Sequence, residues 1–332
     1  MTKIRKLITL GPNSLNKKII KKIEKDTYLF RINLSHISIK DLKKIIIKIK
    51  SYTRIPICID TEGAQIRNGI MRTKSCYFKK NSLININSNL TKKGDNKNIS
   101  FYPPYIFHKL KRGDIIKIDF DSVAIKVLKK INDKKWKAKV ISEGYIGSNK
   151  GADLNRNINL KSITDKDLSA INIAKSMGIK HYSFSFADSK KSIIKLKRYT
   201  GKKAIIISKI ESKKGLKNLK DILSESNAII IDRGDLSREI PIYKIPTMQR
   251  KIINIARTKN IPTYVATNLL ENMILKKDPT RAEVNDVIST LEMGAAGLVL
   301  AAETAIGKYP VQTVEMINFL IKEFQINLKI KK

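Results

Sequence analysis

Short β-branched runs alternate along this chain with stretches whose apolar residues return every three or four positions. The runs fall at 5–10, 28–33, 55–60, 180–186, 203–210, 227–231, 262–267 and 296–301, giving eight strand candidates. Helical spacing lies between them, as in Leu216, Leu219, Ile222 and Leu223. Leu168, Ile171 and Ala174 form another such stripe, closed by Gly178 as a C-terminal stop. Thr164 three residues before Asp167, and Thr280 three before Glu283, read as capping boxes. Strand and helix in repetition predict a parallel sheet.

From Asn68 to Asn155 the rhythm changes to alternating strands at 82–87, 115–119, 123–128 and 136–141, separated by Asn, Asp and Gly turns. The segment 68–155 is therefore read as an inserted β domain. Without it, 1–67 and 156–332 leave about 67 and 177 residues, close to the usual length of a (β/α)8 barrel. A doubly wound open sheet competes, but no G-x-G-x-x-G follows the first strand, and GPNS from Gly11 is a poor phosphate cradle.

Composition narrows the chemistry. With 332 residues, 42% of them hydrophobic, the chain can bury a large core. The most apolar stretch, 293–302, is about half of a membrane span, and no signal peptide opens the sequence, so no membrane partner and a cytoplasmic location are expected. Cys58 and Cys76 have neither disulfide nor metal-ligand spacing and are read as structural. His36, His108 and His181 stand apart, so any metal should be a hard cation on oxygens. The net charge of +38 attracts polyanions in general. Its lysines are spread along the whole chain, which reads as solvated surface, and nucleic acid is not the expected partner.

Barrel enzymes build their sites at the C-terminal ends of the strands, and polar residues leave these runs there. The second gives Arg31, Asn33 and Ser35; the third Asp60, Thr61 and, after a turn, Arg67. The fifth gives Lys209 and Glu211, the sixth Arg233, Gly234 and Asp235, the seventh Thr267, and the eighth Glu303 and Thr304. A surface ion pair explains any one of them alone, and explains their joint occurrence poorly. Alternation puts Lys209 and Glu211 on one side of the strand, and Asp235 adds a carboxylate. Glu211 and Asp235 are the candidate ligands of Mg²⁺ or Mn²⁺. Lys209 and Arg31 suit the neutralisation that phosphoryl transfer needs. Gly234 permits close backbone approach, and its N–H is a candidate donor to a substrate carboxylate.

The segments TLGPNS, RINLSH, DTEGAQIRNG, GSNKG, SKIES, DRGDLSREIP, ATNLLENMI, DPTRAEVNDV and AAETAIGKYP, in order from Thr9 to Pro310, resemble the successive motifs of the pyruvate kinases. The resemblance implies a TIM barrel whose insert is a small β-barrel-like lid domain. It also implies a reaction, phosphoenolpyruvate plus ADP giving pyruvate plus ATP. By the same resemblance Lys209 contacts the transferring phosphoryl group, Glu211 and Asp235 bind Mg²⁺ or Mn²⁺, and Thr267 takes part in protonating the enolate. Arg31 and Arg67 assist with phosphate charge. Arg31, Lys209, Gly234, Asp235 and Thr267 would meet the substrate, and His36, Arg67 and Lys150 the nucleotide. Asn33, Ser35, Asp60 and Thr61 match positions that hold potassium in many members.

Departures from the family pattern fall toward the nucleotide and the supporting shell. Glu62, Ala64 and Gln65 replace a usual lysine, proline and glutamate, and the neutral Gln65 leaves potassium dependence open. Ala301 and Ala302 stand for serine and glycine, Ile306 for a nucleotide-side lysine, Asp188 for an arginine and Ser237 for a glycine. Phe120, Asp121 and Ser122 replace the lid's D-D-G. The chain is expected to be a short form without the C-terminal effector domain and its sugar-phosphate control. Its oligomeric state is open, a homo-oligomer included. Two alternatives remain: a related barrel with another acceptor or enolate reaction, and a non-catalytic binding protein.

Overall fold

The computed structural model describes residues 3–63, 65–119, 122–156 and 158–330, apart from the side chain of Lys329. Ala64, Phe120 and Asp121, named above as departures, lie outside the described residues. Two compact units make up the chain: one comprises Met1–Gly63 and Ser162–Lys332, the other Ala64–Lys161.

The first unit is a closed barrel of eight parallel strands. These are β1 (Arg5–Thr9), β2 (Thr27–Asn33), β3 (Ile57–Asp60), β4 (His181–Phe184), β5 (Ile205–Ile210), β6 (Ala228–Asp232), β7 (Thr263–Ala266) and β8 (Gly297–Leu300). They pair in sequence order, and β8 closes on β1 with Arg5 opposite Gly297. All eight expected runs form barrel strands. Outward residues such as Ile8, Phe30, Ile32, Ile206 and Ile231 join the layer shared with the helices, and inward ones such as Leu7, Leu29, Cys58, Ile207 and Val299 fill the barrel. At the strand starts, Arg5 donates to Tyr264 Oη at 2.8 Å and lies over the Tyr28 ring, 4.3 Å from its centroid.

Both capping boxes are present, at Thr164 with Asp167 and at Thr280 with Glu283. Gly178 ends its helix with φ +72°, the left-handed conformation expected there. The stripe from Leu216 to Leu223 does not form one helix. It divides into Lys213–Lys217 and Leu219–Glu225 because Asn218 leaves helical geometry and donates its side-chain amide to Asp188 O at 2.6 Å. No helix among the described residues is long and apolar enough to cross a membrane.

The second unit is a closed barrel of seven strands beside a two-stranded ribbon. The four expected strands appear as Leu83–Asn87, Ile115–Ile118, Val123–Asn132 and Lys135–Ser142. Five more, Ile66–Asn68, Ser75–Phe78, Asn98–Tyr102, Gly144–Gly147 and Gly151–Leu154, were not expected from the pattern. Each spans three to five residues, too few for alternation to stand out from the flanking loops, so neighbouring strands rather than local pattern define them.

Candidate active site

Two residues beyond the inward apolar layer, the same side-chain parity becomes polar. Leu7 is followed by Thr9, Leu29 by Arg31, Cys58 by Asp60, Ile207 by Lys209 and Ile230 by Asp232, and all five polar residues are buried. Strand alternation thus stacks a charged layer on the barrel core at the C-terminal end, where barrel enzymes place their chemistry.

Lys209 is the centre of this layer. Its Nζ lies 2.6 Å from Glu211, 3.2 Å from Asp232 and 3.8 Å from Asp60. Burial alone pushes the ammonium pKa down, but Asp60, Glu211 and Asp232 together outweigh it and raise it. Arg31 pairs with Asp60 at 2.8 Å. Its Nε and Nη1, together with Asp60 Oδ1, Asp232 Oδ1, Thr9 Oγ1 and Ser183 Oγ, are buried without a hydrogen-bond partner. Buried polar groups are ordinarily satisfied, so such a concentration across five strands makes this end of the barrel the candidate place for a polar ligand.

Glu211, Asp232 and Asp235 each bring one carboxylate oxygen to within 4.8 Å of the others. Burial pushes the Glu211 carboxyl up to about 8: Lys209 opposes the rise, and Asp232 and Asp235 add to it. Asp232 moves the other way. Its burial is outweighed by Lys209 and Arg31, which hold it below the ordinary carboxylate range. Glu211 is further fixed by the backbone N–H of Phe186, which donates to Oε2 at 2.5 Å from a left-handed conformation with φ +50°. An all-oxygen donor set with a buried, partnerless Oδ1 suits a hard divalent cation such as Mg²⁺ or Mn²⁺.

Thr267 follows β7 with φ +70°, a conformation that β-branched residues rarely adopt. Its hydroxyl donates to Ala266 O at 2.6 Å and accepts from Gly234 N at 2.8 Å. The Gly234 N–H, expected as a donor to a substrate, is thus directed at Thr267. A Cβ placed on Gly234 would stand 3.5 Å from Thr267 Oγ1 and 3.6 Å from Asp232 Oδ1, so the glycine keeps side-chain bulk out of the space between them. Arg233 donates to Thr267 O from Nε at 3.1 Å and Nη2 at 2.6 Å, while its Nη1 meets both oxygens of Asp286 at 2.9 and 2.7 Å.

The residues considered for potassium gather at the ends of β2 and β3, with Asn33 in register with Asp60. Asn33 Oδ1 accepts from Ser35 N at 2.9 Å, and Thr61 Oγ1 from Ser185 N at 2.9 Å. His36 is exposed at the end of the turn Leu34–His36. Arg67 and Lys150 belong to the second unit, where Arg67 pairs across strands with Gly151. There Arg67 donates to Asn149 O at 3.0 Å and Lys150 pairs with Asp119 at 3.0 Å.

Asp232, Ser183, Ser185, Phe186 and Asp286 were not singled out from the sequence. Asp232 carried a usable signal: it directly follows the apolar run 227–231 and shares the inward parity of Ile230. The others act through backbone geometry or across distant elements, and no local pattern announces them.

The barrel domain of pyruvate kinase, taken as a family sequence profile, matches residues 1–314. The chain is 32% identical to the pyruvate kinase of Thermotoga maritima over 333 residues, which is 97% of this chain and 71% of that protein. It is 33% identical to that of Methanocaldococcus jannaschii, over 97% of this chain and 69% of the relative, and 30% identical to that of Thermococcus litoralis, over 96% and 69%. With the parallel barrel and the charged strand ends already established, these similarities settle its membership: the chain belongs to the pyruvate kinase family of phosphotransferases.

Proposed function

We propose that the chain transfers the phosphoryl group of phosphoenolpyruvate to ADP, with uptake of one proton, giving pyruvate and ATP. The observation that carries this reading is the buried Lys209 ammonium, held among Asp60, Glu211 and Asp232 beside an Arg31 whose Nε and Nη1 bond to no protein group. A migrating phosphoryl group is stabilised by fixed positive charge rather than by covalent help from the protein. Lys209 and Arg31 supply that charge, and Arg31 has donors left for phosphate oxygens.

Glu211, Asp232 and Asp235 would hold Mg²⁺ or Mn²⁺, and such an ion would supply positive charge against the negative charge of the phosphoryl group. Thr267 Oγ1 holds the proton that passes to C3 of the enolate, and solvent restores it. Gly234 adds no side chain here, which leaves room for the substrate carboxylate, while its N–H serves Thr267. Arg67 and Lys150, which adjoin one another within the inserted unit, are proposed nucleotide contacts. Asn33, Ser35, Asp60 and Thr61 offer oxygens for K⁺, although Asp60 already answers Arg31 and Lys209.

A second reading, a different acceptor on the same phosphoenolpyruvate-binding barrel, is favoured by Ile306. It is 56% exposed where the family usually carries a nucleotide-side lysine. Pyruvate formation from phosphoenolpyruvate and ADP, with Mg²⁺ or Mn²⁺ and with or without K⁺, separates the two when wild type is compared with Lys209→Met. Turnover that depends on Lys209 supports the kinase. Absence of turnover in folded protein, together with no calorimetric binding of ADP at millimolar concentration, rejects ADP as the acceptor.

A further inference from the structure

We propose that Asp286 is a positioning residue for Thr267, acting through the Arg233 guanidinium that it grips from the helix Arg281–Glu292. The inference rests on the role given to Thr267 above. Its starting point is the backbone: Thr267 is β-branched and sits at φ +70°, next to Asn268 at φ +54°. Such a conformation persists only where surrounding contacts over-determine it. Arg233 supplies two of those contacts, with Nε and Nη2 converging on the single carbonyl oxygen of Thr267 at 3.1 and 2.6 Å.

A guanidinium holds a carbonyl in this way only if its own plane is fixed. Arg233 follows Asp232 directly in the chain, and its guanidinium is turned toward Thr267 and Asp286. Asp286 settles the direction by presenting both oxygens to Nη1 at 2.9 and 2.7 Å. With the carbonyl pinned, the peptide following Thr267 is fixed and the hydroxyl stays between Gly234 N and Ala266 O. The hydrogen bonds of Asp286 go to Arg233, so its contribution is to the aim of one hydroxyl.

Removal of this grip should lower the rate of the proton-transfer step while leaving substrate binding intact. Asp286→Ala is expected to reduce kcat by about a hundredfold, the scale associated with misplacing a reacting group by about 1 Å, with KM for phosphoenolpyruvate within about twofold. Asp286→Asn keeps one oxygen for Nη1 and should recover about tenfold of that loss. A crystal structure of Asp286→Ala reads the backbone directly: φ at Thr267 is expected to leave the left-handed region. If the alanine variant does not fold, Arg233→Lys removes the same fork and should reproduce both effects. Unchanged kcat per folded molecule, or a changed kcat with φ still near +70°, overturns the proposal. If wild type itself shows no turnover, the kinase reading fails, and the proposal then stands or falls on φ in the variant structure alone.

Discussion

The ammonium of Lys209 is positioned to hold three buried carboxylates in the folded barrel, so Lys209→Met should cost stability in a pH-dependent way. Its Nζ is 2.6, 3.2 and 3.8 Å from Glu211, Asp232 and Asp60. Removing one partner of a buried ion pair costs about 3–5 kcal/mol, because the charge left behind is uncompensated. Lys209 has a raised pKa, so its contribution is complete below its ordinary value of 10.5 and does not itself titrate between pH 5.5 and 8.5. The pH dependence comes from the carboxylates. Glu211 is already raised from 4.5 to about 8, a difference on the order of 5 kcal/mol at about 1.4 kcal/mol per pH unit, and Lys209 is what opposes a further rise. A carboxyl whose folded pKa is raised contributes fully at low pH and loses that contribution as pH climbs through the folded value. The variant, with a higher Glu211 pKa than wild type, should therefore fall further behind as pH rises. Urea denaturation with EDTA present, at pH 5.5 and 8.5 and equal ionic strength, measures this. Far-UV circular dichroism is the appropriate signal, because the single tryptophan, Trp136, lies in the inserted unit. The expected deficit at pH 8.5 exceeds that at pH 5.5 by about 0.7 kcal/mol, because the two proteins diverge only over the half unit between the Glu211 value of about 8 and pH 8.5. Equal deficits at both pH values would refute the idea that Lys209 opposes a further rise of the Glu211 carboxyl.

Three further substitutions separate stability from chemistry. Thr267→Gly relieves the left-handed strain while losing the hydroxyl, so urea unfolding should stay within about 1 kcal/mol of wild type. Pyruvate formation should meanwhile fall at least about a hundredfold. Asp167→Ala removes a buried carboxylate that accepts from the backbone N–H groups of Glu62 at 2.7 Å, Gly63 at 3.3 Å and Thr164 at 3.0 Å. Denaturant titration should show a loss of about 2–4 kcal/mol. Tyr264→Phe deletes the acceptor of Arg5 at the opposite end of the barrel from the charged layer, and should cost about 1–2 kcal/mol with kcat and KM unchanged. A change in kcat for that variant would show that the strand starts are coupled to the site.

Much of the barrel is legible in the sequence because its strands are buried on both faces and read as continuous β-branched runs, with caps and a stop glycine marking the helices between them. The runs at 203–210 and 262–267 became β5 and β7 with ends shifted by two residues or fewer. Where an element depended on its neighbours, the pattern failed. Asn218 interrupts an amphipathic stripe because a carbonyl at Asp188 lies within reach of its side chain. Ile66–Asn68 becomes a strand because Tyr102 and Gly151 flank Arg67, not because three residues carry any periodicity.

The candidate site divides along the same line, and the division explains which of its members a sequence can reveal. Lys209 and Glu211 are two residues apart near the end of one strand, so alternation alone puts them on one side. Asp232 was passed over although the same rule reaches it from Ile230. The apolar run ends at Ile231, whereas the ladder continues one residue further and pairs Asp232 with Ala266. Thr267 shows the opposite case. Its position after β7 is readable, but its φ of +70° and the Asp286–Arg233 contact that meets its carbonyl join residues from three elements. Parity along a strand supplies the charges of this site, and only the folded chain supplies the aim of its hydroxyl. The two contributions therefore respond to different perturbations: loss of charge at Lys209 should appear in stability and in its dependence on pH, and loss of aim at Asp286 in kcat.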